Sequence, residues 1–250
     1  MLTHRNGRRR RARSVLAVAL VLMLAVLCRL SAQAPPAVSP TAAERMTRNA
    51  SGFRVVVSLA DRRLWVIDVN GDTVRSSSVA IGAGTRLRYR DQTWKFDTPR
   101  GERRVIAKDS GPVWVPPEWF YVQTAEENDL KLAKITEGPG VSLSDGRRLE
   151  IQHGVVGLSG DDGTFDSLPV DEHIVFDGTL FMPPIGTQNR RVDGALGRYR
   201  LDLGDGYLLH GTPDKKSIGT AATHGCIRLG DDDIEWLYEH VPVGARIYIY

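Results

Sequence analysis

A short stretch near the carboxyl end of the chain, GTAATHGCIRLGDDD, brings several reactive residue types together. His224 and Cys226 are separated only by Gly225, and Arg228 follows two residues after the cysteine. A thiol beside an imidazole can be a nucleophile, part of a metal site, or a small buried residue without chemistry. The residue types alone leave these three interpretations open.

The nucleophile interpretation needs a thiolate, a base and donors for an oxyanion, and the sequence offers a candidate for each. Cys226 is the thiol, and His210 ends the apolar segment GYLLHGT, from which its ring can project as a base. The backbone N–H groups of His224, Gly225 and Cys226 can converge on one oxygen. Arg228 is placed either to lower the pKa of the thiol or to pair with a substrate carboxylate.

Each of these residues also has a purely structural alternative. A lone cysteine is often a buried small residue, and a histidine at the end of a strand is often held in a hydrogen bond. Arg228 precedes an acidic helix start and can pair with Asp231 or Asp233 there. The combination of the residues, rather than any one of them, favours chemistry.

A zinc site is the first rival. His210, His224 and Cys226 are acceptable zinc ligands by type, and Asp231 or His240 would have to supply the fourth. The spacings typical of zinc fingers are absent, however, and a His-x-Cys pair on an extended loop chelates poorly. We therefore expect no metal here.

The amino-terminal residues predict export. Six arginines precede an apolar run, Val15 to Cys28, and the tripeptide Ala32-Gln33-Ala34 follows. A basic region, an apolar region and a small-x-small site describe a secretory signal. We expect residues 1–34 to be a signal peptide, or alternatively an uncleaved signal anchor, and the Pro/Ala/Ser-rich residues 35–52 to be a linker.

Charge and cysteine usage depend on this segment. Seven of the 33 lysines and arginines and none of the 30 acids lie in residues 1–34, so 26 basic and 30 acidic residues remain beyond them. Nothing in this balance supports nucleic-acid binding. Cys226 would be the only cysteine left, so no internal disulfide is possible. An unpaired thiol in an oxidising compartment is exposed to oxidation, which favours a functional role for Cys226.

The rest of the chain predicts many short strands. Phe53–Leu59 and Arg63–Val69 are rich in β-formers, Asn70-Gly71 is a strong hairpin signal, and a third run ends near Ile81. Further strand-like segments are RRVIAKD, RRLEIQH, HIVFDG, RYRLDL, YLLH and RIYIY. The pattern predicts a mainly β fold, a sandwich or a barrel-like sheet, with a few short helices.

Two helices are predicted. DDDIEWLYEHVPVG offers Asp232 as N-cap, with Glu235 three residues later, and Pro242 and Gly244 as stop signals. The segment AEENDLKLAKI is the second and weaker candidate. Cys226 therefore lies on a loop shortly before a capped helix.

The middle of the chain differs in composition. Residues 122–180 are polar, acidic and rich in turns, with short strands between. We interpret them as an insertion or flap over a domain that spans residues 53–250, with a separate small domain as the alternative. Trp65, Trp114, Trp119 and Trp236 are assigned to the core or to this flap.

The segment HGTPDKKSIGTAATHGCIRLGDDDIEWLYEHVPVGARIYI resembles the signature of the L,D-transpeptidase, or YkuD, catalytic domain. The resemblance lies in three matches: His210-Gly211-Thr212, Ser217-Ile218-Gly219, and the box Thr223-His224-Gly225-Cys226, where Thr stands in a position that is often Ser. Upstream, VVVSLADRRLWVIDVNGDTV, DTPRGERRVI and PVWVPPEW are similar to further segments of the family. The stretch between Pro117 and Pro183 is longer than a compact member needs, which puts the shape of the lid in doubt.

The resemblance implies a mechanism for an exported enzyme. Cys226 attacks the carbonyl that joins an L-centre to a terminal D-amino acid in a peptidoglycan stem peptide. His210 is the general base, its ring held by a backbone carbonyl such as that of Gly211. The amides of His224, Gly225 and Cys226 line the oxyanion hole, and no metal or organic cofactor takes part.

The resemblance also implies which residues bind substrate and which partners are involved. Arg228 holds a stem-peptide carboxylate, and Gly211, Thr223 and Ser217 complete the binding group. The partners are donor and acceptor stem peptides outside the cytoplasm, with membrane attachment only through the amino-terminal segment. A carboxypeptidase of the same fold, a non-catalytic wall-binding module and a zinc-dependent wall peptidase remain alternatives.

Overall fold

The computed structural model describes residues 52–250, and the predicted signal and nearly all of the predicted linker lie outside them. Within this range no helix is long and apolar enough to cross a membrane. Two α-helices lie there, α1 (Glu118–Glu127) and α2 (Asp231–His240). The strands are β1 (Arg54–Ser58), β2 (Arg63–Ile67), β3 (Thr73–Ser78), β4 (Ile81–Gly82), β5 (Arg86–Tyr89), β6 (Gln92–Lys95), β7 (Gly101–Arg104), β8 (Ala107–Ser110), β9 (Lys131–Lys134), β10 (Val141–Ser142), β11 (Arg148–Gln152), β12 (Val155–Ser159), β13 (Phe165–Ser167), β14 (Ile174–Phe176), β15 (Thr179–Met182), β16 (Tyr199–Asp202), β17 (Leu208–His210), β18 (Ala221–Thr223), β19 (Ile227–Arg228) and β20 (Arg246–Ile249).

The largest sheet joins the two ends of the described chain. Its order is β3-β2-β1-β20-β7, with β20 parallel to β1 and antiparallel to β7. Four of the five residues of β1 are buried, because both faces of this strand are covered. The predicted hairpin at Asn70-Gly71 connects β2 and β3, which pair antiparallel, and Gly71 has a φ of +94°. That conformation is easy for glycine and costly for other residues.

A second sheet carries the segments that the resemblance singles out. Its order is β19-β17-β16-β8, and β19 runs parallel to β17. Strand β18, which leads into the THGC box, pairs instead with β4. A backbone bridge between Ala80 and Arg228 fastens β19 to the residues just before β4. The box is therefore held between two sheets.

Helix α2 buries Ile234 and Leu237 against this second sheet. The predicted N-cap at Asp232 is wrong, because the helix begins at Asp231 and its cap is Gly230. The carbonyl of Gly230 already accepts the N–H of Ile234, which places Asp232 inside the first turn. Its carboxylate lies in a turn where negative charge is stabilised by the helix dipole.

The middle of the chain contributes α1 and two small sheets, β10-β11-β12-β13 and β14-β15-β9. The second predicted helix, AEENDLKLAKI, is wrong in its latter half. The helix ends at Glu127, Asp129 has a φ of +53°, and β9 follows. Strand β9 pairs in parallel with β15, and these long-range hydrogen bonds override the local helical pattern.

Three clusters of buried apolar side chains stabilise the described part. The largest spans the two main sheets and α2 and includes Leu209, Ile227 and Ile234. Two smaller clusters lie within the middle of the chain, one around Leu149 and one around Leu180. The mainly β prediction is confirmed, and no sheet within residues 52–250 closes into a barrel. That residues 122–180 form an insertion stays a prediction.

Candidate active site

Side chains alternate between the two faces of strands β17 and β19, and this places the candidate site residues on one face. Leu209 pairs with Ile227, and both side chains are buried in the main core. Their neighbours point the opposite way, because successive residues of a strand face opposite sides of the sheet. His210, Cys226 and Arg228 accordingly line one cleft of about 350 Å³. The structure thus brings together the predicted base, the predicted nucleophile and the predicted cation.

His210 is held in its neutral form. Its Nδ1 lies 2.6 Å from the carbonyl oxygen of Gly211, an acceptor, so Nδ1 carries the proton and Nε2 is left as an acceptor. Burial lowers the pKa of His210 from 6.5 to about 4, the hydrogen bond to Gly211 opposes the shift, and the charge of Arg228 adds to it. At neutral pH the ring is uncharged and can take up a proton.

Close backbone packing fixes the carbonyl that holds His210. Gly197 has a φ of +70°, and a Cβ there would lie 2.6 Å from the carbonyl carbon of Gly211. On the other side, a Cβ at Gly211 would come within 3.2 Å of Ile234 Cγ2. Gly211 therefore contributes its carbonyl oxygen, which accepts a hydrogen bond from the ring of His210. The substrate-binding role that the sequence assigned to it stays a prediction.

Cys226 is the free cysteine of the described chain and is half-buried. Burial raises the pKa of its thiol, while the backbone of Leu208 and the charge of Arg228 lower it by less. Arg228 thus acts in the predicted direction but does not outweigh desolvation. The Sγ atom of Cys226 lies 3.8 Å from the carbonyl oxygen of Gly206, and the resting cleft holds a neutral thiol and a neutral imidazole.

The loop that carries Cys226 is braced by a side chain within the THGC box. The hydroxyl of Thr223 donates to the carbonyl oxygen of Cys226 at 2.6 Å and accepts the N–H of Gly225 at 3.2 Å. Of the three predicted oxyanion donors, the N–H of Gly225 is therefore engaged by Thr223. The N–H groups of His224 and Cys226 are the remaining candidates.

A side chain at position 225 would be strained in this conformation. Its φ is +121°, and a Cβ would lie 2.9 Å from Tyr207 Cε1 and 3.1 Å from the carbonyl oxygen of Asp97. A side chain there would force the loop away from both neighbours. The glycine permits the turn that exposes Cys226 to the cleft.

Arg228 is oriented from behind. Its Nη1 donates to Ser217 Oγ at 3.0 Å and lies 3.9 Å from Asp214 Oδ2. Ser217 is buried and its own hydroxyl donates to the carbonyl oxygen of Asp214. Ser217 does not line the cleft but contacts Arg228, and the substrate-binding role that the sequence assigned to it stays a prediction.

The alternative partners of Arg228 are taken by other cations. Asp231 Oδ2 lies 3.1 Å from Lys215 Nζ, and Asp233 Oδ1 lies 2.6 Å from Arg75 Nη2. The guanidinium of Arg228 consequently keeps a free edge, and it remains half-buried in the cleft. Such a cation can bind a carboxylate of a ligand.

Helix α1 supplies residues that sequence reasoning missed. Gln123 Oε1 lies 2.8 Å from His224 Nε2, and the indole of Trp119 stacks on the His224 ring with centroids 4.0 Å apart. His224 is exposed as a residue, yet its ring is covered on this side, and this burial lowers its pKa. The sequence placed Trp119 in the core or flap and gave no signal for Gln123.

No group of three or more His, Cys, Asp and Glu side chains with metal-binding geometry occurs among residues 52–250. The zinc interpretation therefore lacks a ligand set in the described part of the chain.

Comparison with known proteins places the chain in a family. Residues 52–249 match the L,D-transpeptidase catalytic domain family, YkuD. The probable L,D-transpeptidases ErfK/SrfK of Salmonella typhimurium and Escherichia coli are 26% and 44% identical over 196 residues, 78% of this chain. The chain covers 43% of the length of each. The crystal structure of the L,D-transpeptidase from Xylanimonas cellulosilytica aligns with a TM-score of 0.42 and 19% identity, over 81% of this chain and 62% of that one. The chain belongs to the L,D-transpeptidase (YkuD) catalytic domain family.

Proposed function

We propose that the chain is a cysteine L,D-transpeptidase that acts on peptidoglycan stem peptides through a thioester on Cys226. The observation that carries the proposal is the state of His210. Its Nδ1 is bound to the Gly211 carbonyl oxygen, and the pKa of the ring is lowered to about 4. A neutral imidazole with a free Nε2 on the cleft that holds the free thiol is what a general base for that thiol requires.

The first half of the reaction forms the thioester. His210 Nε2 takes the proton of the Cys226 thiol as the sulfur attacks the carbonyl carbon between the L-centre and the terminal D-amino acid. The C–N bond then breaks, and the leaving amine takes the proton back from His210. Because the pKa of the thiol is raised by burial, proton transfer accompanies the attack rather than preceding it.

The second half returns the enzyme to its resting state. An acceptor amine attacks the thioester and gives a proton to His210 Nε2, and the sulfur leaves and is protonated from that ring. Attack by water gives hydrolysis instead, which is the carboxypeptidase alternative. Both halves need the same base and the same donors.

Two parts of the cleft are candidates to stabilise negative charge, one on the reaction intermediates and one on the substrate. The N–H groups of His224 and Cys226 are the candidates to stabilise the oxyanion of each tetrahedral intermediate. Arg228, held by Ser217, is the candidate to bind a carboxylate of the stem peptide. Thr223 and Gly225 shape the loop between them.

Acylation by a carbapenem tests the nucleophile. We expect one adduct per chain, located by peptide mass spectrometry on the peptide that contains Cys226. Cys226→Ser is expected to give none, because the hydroxyl stays protonated beside a base of such low pKa. Treatment with a chelator should leave the yield unchanged. A folded chain that stays unmodified would refute the assignment and favour a non-catalytic module. An adduct that persists in Cys226→Ser would refute Cys226 as the nucleophile.

The second part of the proposal concerns location. The arginine-rich and apolar residues 1–34 support export, so that the domain acts outside the cytoplasm, with attachment to the membrane through this segment if it is not cleaved. A fusion of residues 1–60 to alkaline phosphatase is expected to be active in bacteria. An inactive fusion at normal expression levels would contradict export.

A further inference from the structure

Helix α1 presents a row of polar groups to the loop that carries Cys226. Gln123 Nε2 donates to Glu127 Oε1 at 2.8 Å, and Gln123 Oε1 lies 2.8 Å from His224 Nε2. Gln123 and Glu127 are four residues apart, which places them on one face of the helix. Because the amide NH₂ of Gln123 is committed to the carboxylate, its carbonyl end accepts the Nε2–H of His224. The row thus links Glu127 to the loop that carries Cys226.

The cleft contains two charged side chains of opposite sign. Among its lining residues, Arg228 is the cation and Glu127 is the anion, and they belong to different elements, β19 and α1. Arg228 has carboxylate and hydroxyl neighbours, Asp214 and Ser217. Glu127 forms no ion pair among residues 52–250 and is exposed. Its only hydrogen-bond partner in that range is Gln123, which orients it.

The two halves of the proposed reaction differ in the charge of what must bind. The donor peptide carries a carboxylate, which Arg228 can bind. The acceptor carries an amine, which is an ammonium at neutral pH, whereas the competing nucleophile, water, is uncharged. An oriented carboxylate that has no cation partner within residues 52–250, beside the aromatic wall of Trp119 and Phe120, is suited to an ammonium on an aliphatic chain.

We infer that Glu127, oriented by Gln123, binds the ammonium group of the acceptor and favours transfer to an amine over hydrolysis. This inference rests on the proposed function. The acceptor is a primary ammonium compound. It releases one proton to solvent as the neutral amine moves from Glu127 to the thioester, and a second proton passes to His210 Nε2 as the new C–N bond forms.

The test measures how the thioester is divided between nucleophiles. A defined donor peptide is mixed with the full chain and increasing concentrations of a D-amino acid amide, whose single amine is mostly ammonium at pH 7. Mass spectrometry then gives the ratio of transferred to hydrolysed product. For Glu127→Gln we expect this ratio to fall about tenfold, at the low end for a charge-assisted hydrogen bond because Glu127 is exposed. Glu126→Gln, one residue earlier and outside the cleft, should match the wild-type chain.

A second nucleophile separates binding of charge from a general disturbance of the loop. Hydroxylamine is mostly neutral at pH 7, so its ratio of transfer to hydrolysis should be the same in Glu127→Gln and in the wild-type chain. An equal loss for both nucleophiles, or a change smaller than twofold for the charged amine, would overturn the inference. If the wild-type chain forms no thioester with the donor, the proposed function itself fails, and this is seen before any acceptor is added.

Discussion

Thr98 joins the glycine of the THGC box to strand β4, which also pairs with the strand that leads into the box. Its buried hydroxyl donates to the carbonyl oxygen of Gly225 at 3.0 Å and accepts the N–H of Gly82, in β4, at 2.8 Å. These residues are far apart in the chain, so the hydroxyl is a tertiary link rather than a local turn. It holds the peptide that precedes Cys226 in place.

Replacement of Thr98 by valine keeps the shape and removes both hydrogen bonds. The Gly225 carbonyl and the Gly82 N–H are then left buried without this partner, which should lower the free energy of unfolding by about 1–3 kcal/mol. Urea denaturation measures this, and kcat/KM should fall as well because the loop loosens. Thr93→Val, at an exposed position of β6, is the matched control and should change neither quantity. Equal stability of the two variants would contradict this role for Thr98.

Gly225→Ala should be more harmful than an alanine at another glycine with positive φ. The added methyl would meet Tyr207 Cε1 at 2.9 Å, in addition to the strain of a φ of +121°. Acylation of Cys226 should slow by more than about tenfold, since displacement of catalytic groups by even ~1 Å can reduce rates about 100-fold. Gly219→Ala, with a φ of +84° and open space around it, provides the comparison. The prediction fails if both alanine variants acylate at similar rates.

Ser217→Ala and Arg228→Lys should raise KM for the donor peptide in a folded chain. Ser217 supplies a hydrogen bond to Arg228, and lysine cannot replace a planar guanidinium that binds a carboxylate at two points. Steady-state kinetics with a stem peptide and with its carboxyl amide measure the effect, because only the charged peptide should lose affinity. Ser167→Ala, on the exposed face of β13, should behave as the wild-type chain. An unchanged KM with a lower Tm would make Arg228 structural.

The pH dependence should report the low pKa of His210. The base must be neutral, so kcat/KM should fall at acid pH around pH 4 rather than around 6.5. The stability of the fold should already fall at higher pH, between the unfolded and the folded pKa of His210. Between pH 6.5 and about 4 the unfolded chain protonates His210 and the folded chain does not, so the free energy of unfolding decreases as the pH drops. His210→Asn should reduce this slope, and an acid limb centred near pH 6.5 would refute the prediction.

That the candidate site residues share one cleft could be predicted from the sequence, because they lie in a short, specific pattern. His210, Cys226 and Arg228 come within nineteen residues of each other, and strand alternation then decides which face they share. Whether the pKa of the Cys226 thiol is raised or lowered could not be predicted from the sequence. It depends on how deeply Cys226 is covered, and desolvation outweighs the charge of Arg228.

The contacts of helix α1 had no local signal. Gln123 and His224 are 101 residues apart, and nothing in the residues around Gln123 indicates a partner. The same is true of β9, whose residues fit a helix by local pattern. Their pairing with Thr179–Met182 is formed by residues nearly fifty positions later. Where local preference and long-range pairing disagree, the sequence alone favours the wrong element.

The position of β20 has a consequence for the order of events during biogenesis. This strand lies between β1 and β7, and its parallel pairing with β1 joins residues nearly two hundred positions apart. Residues of β1 cannot gain their second strand partner until Arg246–Ile249 is available, and pairing over such separations is slow. Until then the largest sheet is incomplete, and β1 lacks one of its two neighbouring strands. Val55 of β1 and Ile247 of β20 belong to the same core cluster as Leu209 and Ile227, the neighbours of His210 and Cys226, so this core is completed only when β20 is added.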